Sequence, residues 1–340
     1  IKKFGPYTKN YTGTYDVDWF IDKLYESEED NPYIEAWWKW WPEVSKTLNI
    51  LRITGGEPTI HGSTYRLLDE INKNPMPNLE LNINSNLGAN PKLFDRFIEK
   101  LKPIIEEKKV KEFKLFTSID TWDKDKAEYI RNGLDIELFK RNFDKYLTEI
   151  KDSKLSLMIT FNNLCVTNFD SLLEQILVWR KEYNDKTARE RGNINQPIPL
   201  QRIQMDTPYL KEPPHYDMNI LPKDDFTHYM NRHLEFMINF QDDDDNTKFK
   251  TLEVEKFRRV VDYFKSAEVD EDYLRKGRSD FYNFFDEHDR RRDTDFIKAF
   301  PEYEEFYISC RNNSTKTQRA IRLEQRRAEM MRRKQNDKVD

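Results

Sequence analysis

Five short apolar runs, separated by four stretches with helical apolar spacing, constrain this chain more than any other feature. The runs are Leu48–Gly56 (LNILRITGG), Leu79–Asn86 (LELNINSN), Val110–Asp120 (VKEFKLFTSID), Lys154–Asn163 (KLSLMITFNN) and Pro199–Pro208 (PLQRIQMDTP). Between them lie Ser63–Asn72, with Ser63 placed to cap it, then Pro91–Glu107, Asp135–Ile150 and Asn168–Tyr183. Apolar runs of this length read as buried strands. Strands alternating with amphipathic helices predict right-handed βα units and a parallel sheet, an α/β fold.

The carboxyl ends of the five runs share one chemistry. They read TGGEP, INSN, TSID, FNN and QMDTP, each polar after an apolar stretch. Ligand sites of parallel α/β folds collect at the carboxyl ends of the strands, so five such ends in succession predict one ligand-binding rim. In the first of them, Gly55 and Gly56 bare the backbone, Glu57 adds a charge and Pro58 stiffens the exit. Open backbone beside a carboxylate suits a ligand that presents an ammonium group; the same residues also serve a plain strand-to-helix turn.

Composition excludes several classes. The 340 residues carry a formal charge of −5, which predicts no general affinity for nucleic acid or anionic membranes. No apolar run reaches the length of a membrane span and no signal peptide is visible. Cys165 and Cys310 are the two cysteines, which argues against a disulfide scaffold and fits a reducing cytoplasm.

Around the βα core, residues 1–47 read as a helical segment. Asp16–Ser27 begins one helix and Tyr33–Lys46 forms a second, with Pro42 inside it. Trp37, Trp38, Trp40 and Trp41 on the second helix suit core packing or an aromatic patch facing a substrate. Residues 48–222 form the core, and 223–310 a helical C-terminal region that includes an acidic, solvated QDDDDN loop. Residues 311–340 form a basic tail, helical or disordered, which suits solvent or contact with RNA phosphates.

The run LRITGGEP, then NSN, then TSID followed by EYIRNG, then TFNN, resembles the radical S-adenosylmethionine enzymes, and most closely their twitch-domain members. The likeness covers roughly Leu48–Pro222. It implies a partial (β/α)6, TIM-like barrel lacking its first strand, with a helical C-terminal extension. It implies that Gly55, Gly56 and Glu57 hold the amino group of S-adenosylmethionine, followed by Pro58, and that Ser118 and Arg131 hold its carboxylate, with Asp120 beside them. Asn84, Asn86, Asn162, Asn163 and the backbone of Gln204 and Met205 become ribose and adenine contacts, although turns and caps would equally explain the asparagines.

The same resemblance implies a [4Fe–4S] cluster on three cysteines of a C-x3-C-x2-C loop, and an electron donor such as flavodoxin or ferredoxin. Two cysteines cannot hold that cluster. The sequence, which starts at Ile1, is expected to be cut just after the cluster loop; the alternative is a degenerate scaffold that binds S-adenosylmethionine or a peptide without redox chemistry. In the intact protein the implied reaction is reductive cleavage of S-adenosylmethionine to a 5′-deoxyadenosyl radical, which abstracts hydrogen from a substrate that no motif identifies.

Overall fold

The computed structural model describes residues 31–190, 201–314 and 323, with 184–190 by backbone alone. The expected helix near Asp16 and nearly all of the basic tail lie outside the described residues.

All five apolar runs form strands: β1 (Ile50–Ile53), β2 (Met76–Asn84), β3 (Val110–Ser118), β4 (Lys154–Met158) and β5 (Ile203–Asp206). They build one parallel sheet in the order β1-β2-β3-β4-β5. Each crossover therefore moves one strand further in the same direction. A doubly wound sheet would reverse its order, and this one does not.

The intervening helices are α2 (Gly62–Lys73), α3 (Pro91–Glu106), α5 (Ile136–Glu149) and α6 (Phe169–Glu190). Right-handed crossovers in a sheet of sequential order carry their helices to one face. Strand alternation records that face: Leu79, Leu81 and Ile83 of β2, and Phe113 and Leu115 of β3, are buried, while the residues between them stay partly accessible. Phe143 of α5 packs against Trp179 of α6 with tilted rings 4.3 Å apart at their centroids, joining consecutive helices in the same core.

Local differences from the sequence reading have local causes. The cap of α2 is His61 rather than Ser63, which lies inside the helix; the preceding 3₁₀ turn, Pro58–Ile60, starts the chain turning early. Of the fifth run, Gln201 and Arg202 precede the strand, which starts at Ile203, and Pro199 lies outside the described residues. In EYIRNG the chain forms α4 (Lys124–Ile130), capped by the Asp123 carboxylate on the Lys126 amide, with Arg131 at its C-terminal end. The helix α1 (Pro32–Val44) runs through Pro42. Trp41 on it is buried, Trp37 and Trp38 pack partly against the core, and Trp40 is 54% exposed, so core packing accounts for three of the four tryptophans.

The C-terminal region is helical as expected: α7 (Lys223–Asn239), α8 (Thr251–Ser266), α9 (Glu271–Arg292), the short α10 (Phe296–Ala299) and α11 (Glu304–Asn313). The last helix runs past the boundary expected at residue 310. The loop 241–246 is tied down: Asp243 accepts hydrogen bonds from the Thr251 amide (2.7 Å) and hydroxyl (2.5 Å) at the start of α8. The region docks on the βα core through side chains, with the Tyr129 hydroxyl donating to Asp289 at 2.7 Å and the Tyr303 hydroxyl donating to the Asn163 carbonyl.

Candidate functional site

The turn after β1 needs its glycines. Gly55 and Gly56 have φ of +96° and +57°, the left-handed region that costs other residues about 1–2 kcal/mol. Both are exposed at the end of the strand. A Cβ on Gly56 would lie 3.3 Å from Nε2 of His61.

Glu57 joins two strand ends. Its Oε1 accepts from the Thr59 amide at 3.2 Å, the Thr59 hydroxyl at 2.5 Å and the Ser85 hydroxyl at 2.8 Å. Its Oε2 accepts from the Asn86 amide at 2.7 Å. Three of these four donors share Oε1 and one takes Oε2, so Oε2 keeps a lone-pair position open. Glu57 thus fixes the β1 turn to the β2 turn and brings its charge to the rim. Pro58 is buried at the start of the 3₁₀ turn.

A second carboxylate ties the next two ends together. Asp120, 3% exposed, accepts from Nη2 of Arg131 at 3.0 Å and from the Thr160 amide at 3.0 Å, joining the ends of β3 and β4. Nε of Arg131 lies 2.7 Å from the other carboxylate oxygen, an ion-pair contact with poor hydrogen-bond direction. Burial pushes the Asp120 carboxyl above its ordinary pKa, and Arg131 opposes that. Arg131 therefore lies at the rim with its fork on Asp120, its side chain 27% exposed.

The remaining expected residues divide. Asn84 accepts from Nε of Arg52 at 3.0 Å, and Ser118 and Gln204 lie on the same accessible face of the sheet. Asn86 is exposed at the rim. Asn162 is turned into its own loop, accepting from the Leu164 amide and donating to the Thr160 carbonyl, both at 2.9 Å. Asn163 is wholly buried and donates to the His215 carbonyl at 2.8 Å. The Met205 side chain is buried in the core, and its amide donates to Glu253 at 3.1 Å. The structure thus brings Gly55, Gly56, Glu57, Asn84, Asn86, Ser118, Asp120, Arg131 and Gln204 to one side, and holds Asn162, Asn163 and Met205 in structural contacts.

The sheet's accessible face carries residues that the motifs did not single out. Strand register places Arg52 beside Asn82, Asn82 beside Lys114 and Lys114 beside Lys154, all on that face. Phe116 lies in the next row, between Asn84 and Ser156. For Arg52, Asn82 and Lys114 the signal was the period of two: each sits between apolar residues of the opposite face.

Neither thiol belongs to this face. Cys165, in the 3₁₀ turn Asn163–Cys165, and Cys310, on α11, are both buried, and burial pushes both thiols up, Cys310 to about 12. Among the described residues no group of three or more His, Cys, Asp or Glu side chains could hold a metal ion, and no helix is long and apolar enough to cross a membrane. The chain matches no family model, no curated protein and no solved structure.

Proposed function

We propose that this chain is the S-adenosylmethionine-binding core of a radical S-adenosylmethionine enzyme, its sheet a segment of a partial (β/α)6 barrel. The observation that carries the reading is the pair of carboxylate staples. Glu57 ties the β1 and β2 ends, and Asp120 ties the β3 and β4 ends, so four strand ends form one rim. S-adenosylmethionine is a zwitterion at its methionyl end. The exposed backbone of the Gly55–Gly56 turn suits its ammonium, with the Glu57 charge beside it. Arg131, oriented by Asp120 and partly accessible, suits its carboxylate.

A [4Fe–4S] cluster held by protein thiolates does not fit the residues of this chain, since three ligands are needed and its two cysteines are buried. The activity proposed for these residues is therefore binding: orienting the methionyl group and shielding it from water. Radical formation and hydrogen abstraction belong to a protein that brings the thiolates.

Isothermal titration calorimetry of the chain with S-adenosylmethionine tests the proposal. One site per chain is expected, weakened about tenfold or more in Asp120→Ala, the size of one charge-assisted hydrogen bond. Absence of binding to the folded chain would overturn it.

A further inference from the structure

Three carboxylates on the accessible face of the sheet are each matched by a cation. Lys111 lies 2.7 Å from Glu80, Lys154 lies 2.9 Å from Glu112, and Lys256 lies 2.9 Å from Asp206. Two cations remain over. Among the described residues, neither Arg52 nor Lys114 has a carboxylate at ion-pair distance. Nε of Arg52 donates to Asn84 at 3.0 Å, and both cations reach toward one ring: the Arg52 guanidinium carbon is 4.2 Å, and the Lys114 ammonium 5.7 Å, from the centroid of Phe116.

This placement brings like charges together. Lys114 is partly buried and stands beside Lys154 in the strand register. Burial first, and Lys154 second, lower its pKa, with Glu112 and Glu80 opposing more weakly. Attraction to an aromatic face contributes only about 0.5–1 kcal/mol at an accessible site. Asn82 lies between the two cations, adding an amide that can donate. In-register strands are about 4.8 Å apart, so Arg52 and Lys114 stand about 10 Å apart at the backbone, and it is their charged ends, converging on Phe116, that approach one small anionic group.

We propose that Arg52, Asn82 and Lys114 form a subsite for an anionic group, a carboxylate or a phosphate, on a second small molecule that shares this face with S-adenosylmethionine. The proposal rests on reading this face as the ligand side of a S-adenosylmethionine core, and it adds the charge of the co-substrate. A small molecule fits better than a polyanion because the whole chain carries a formal charge of −5.

The test titrates orthophosphate and succinate separately into the chain, with and without saturating S-adenosylmethionine. The variants are Arg52→Gln, Lys114→Met and, as a control for a cation with its own partner, Lys154→Met. Saturable binding of one anion is expected, weakened about tenfold or more by either of the first two and by much less in the control. Arg52→Lys should restore part of the affinity, which separates lost charge from lost folding. Preference for orthophosphate assigns a phosphate, and preference for succinate a carboxylate. Anion binding without S-adenosylmethionine binding would keep the subsite and remove the proposed cofactor. Equal anion affinity in the parent, Arg52→Gln and Lys114→Met proteins would overturn the subsite, as would one-for-one displacement of the anion by S-adenosylmethionine.

Discussion

Arg180 of α6 and Glu253 of α8 close the outer edge of β5 with a buried ion pair, Nη2 lying 2.6 Å from Oε1. Nε of Arg180 donates to the Ile203 carbonyl at 3.0 Å, and Glu253 accepts the Met205 amide at 3.1 Å. The pair therefore supplies hydrogen bonds that a further strand would otherwise make, and it protects an edge open to unwanted pairing. Arg180 also donates to the Lys248 carbonyl at 2.9 Å, and Glu253 accepts the Lys250 amide at 3.0 Å, so both charges are well satisfied. Removing one partner leaves a buried charge alone. Glu253→Ala should cost about 3–5 kcal/mol in urea unfolding, while Arg180→Met/Glu253→Met together should cost much less than the two single changes summed. A single-variant loss within the 0–1 kcal/mol typical of exposed pairs, on the order of what screening leaves, would contradict this account.

The Glu57 staple makes a prediction about the rim itself. Glu57→Ala removes the acceptor of four donors and leaves the buried Ser85 and Thr59 groups to find new ones. The expected stability loss is about 1–3 kcal/mol, the cost of unsatisfied polar groups. Binding of S-adenosylmethionine should fall more than in Ser85→Ala, which cuts one of the four contacts. Equal binding in both would separate the staple from the ligand.

Much of the fold was legible because its signals are local. The five apolar runs and their intervening helices announced a parallel α/β sheet, and all five runs are strands in sequence order. What the sequence hid depends on long-range pairing. Arg180 and Glu253 lie 73 positions apart, and nothing about either residue alone marks a sheet edge. Asn162 and Asn163 look alike beside other polar strand ends, yet Tyr303 and the His215 carbonyl bury Asn163 under helices the motifs do not describe. Arg52 and Lys114 were visible only as charges within apolar runs, and register, not spacing, sets them beside Asn82.

Gly56 tests the backbone at the rim. Gly56→Ala places a side chain at φ +57° with a Cβ 3.3 Å from His61 Nε2, so strain and crowding add. A loss of about 1–2 kcal/mol is expected from the conformation alone. Gly88, which has a negative φ and open space for a Cβ, should accept alanine with little change, so the pair of variants isolates backbone strain.

Iron and sulfide added anaerobically to this chain should give no stoichiometric [4Fe–4S] absorption or EPR signal. Its two thiols are buried in different elements, Cys165 after β4 and Cys310 on α11, and burial keeps both protonated. A full cluster signal from the 340 residues would require thiolates the fold does not present.

His215 and His233 set the response to acid. Burial lowers both to about 4 from the ordinary 6.5; for His233 the Val166 carbonyl, 2.8 Å from Nε2, opposes that shift. Between those values the unfolded chain binds protons that the folded chain refuses, so unfolding is favoured as pH falls through the window. Each histidine contributes a slope of at most about 1.4 kcal/mol per pH unit, with stability rising toward neutrality and levelling above pH 6.5. His215 stacks on Phe284 with centroids 4.6 Å apart, so His215→Phe keeps a stacked ring while removing the titration. Urea unfolding from pH 4.5 to 7 should show a shallower slope in that variant than in the parent. Parallel slopes would mean that His215 is already protonated in the folded chain and that burial does not hold it neutral.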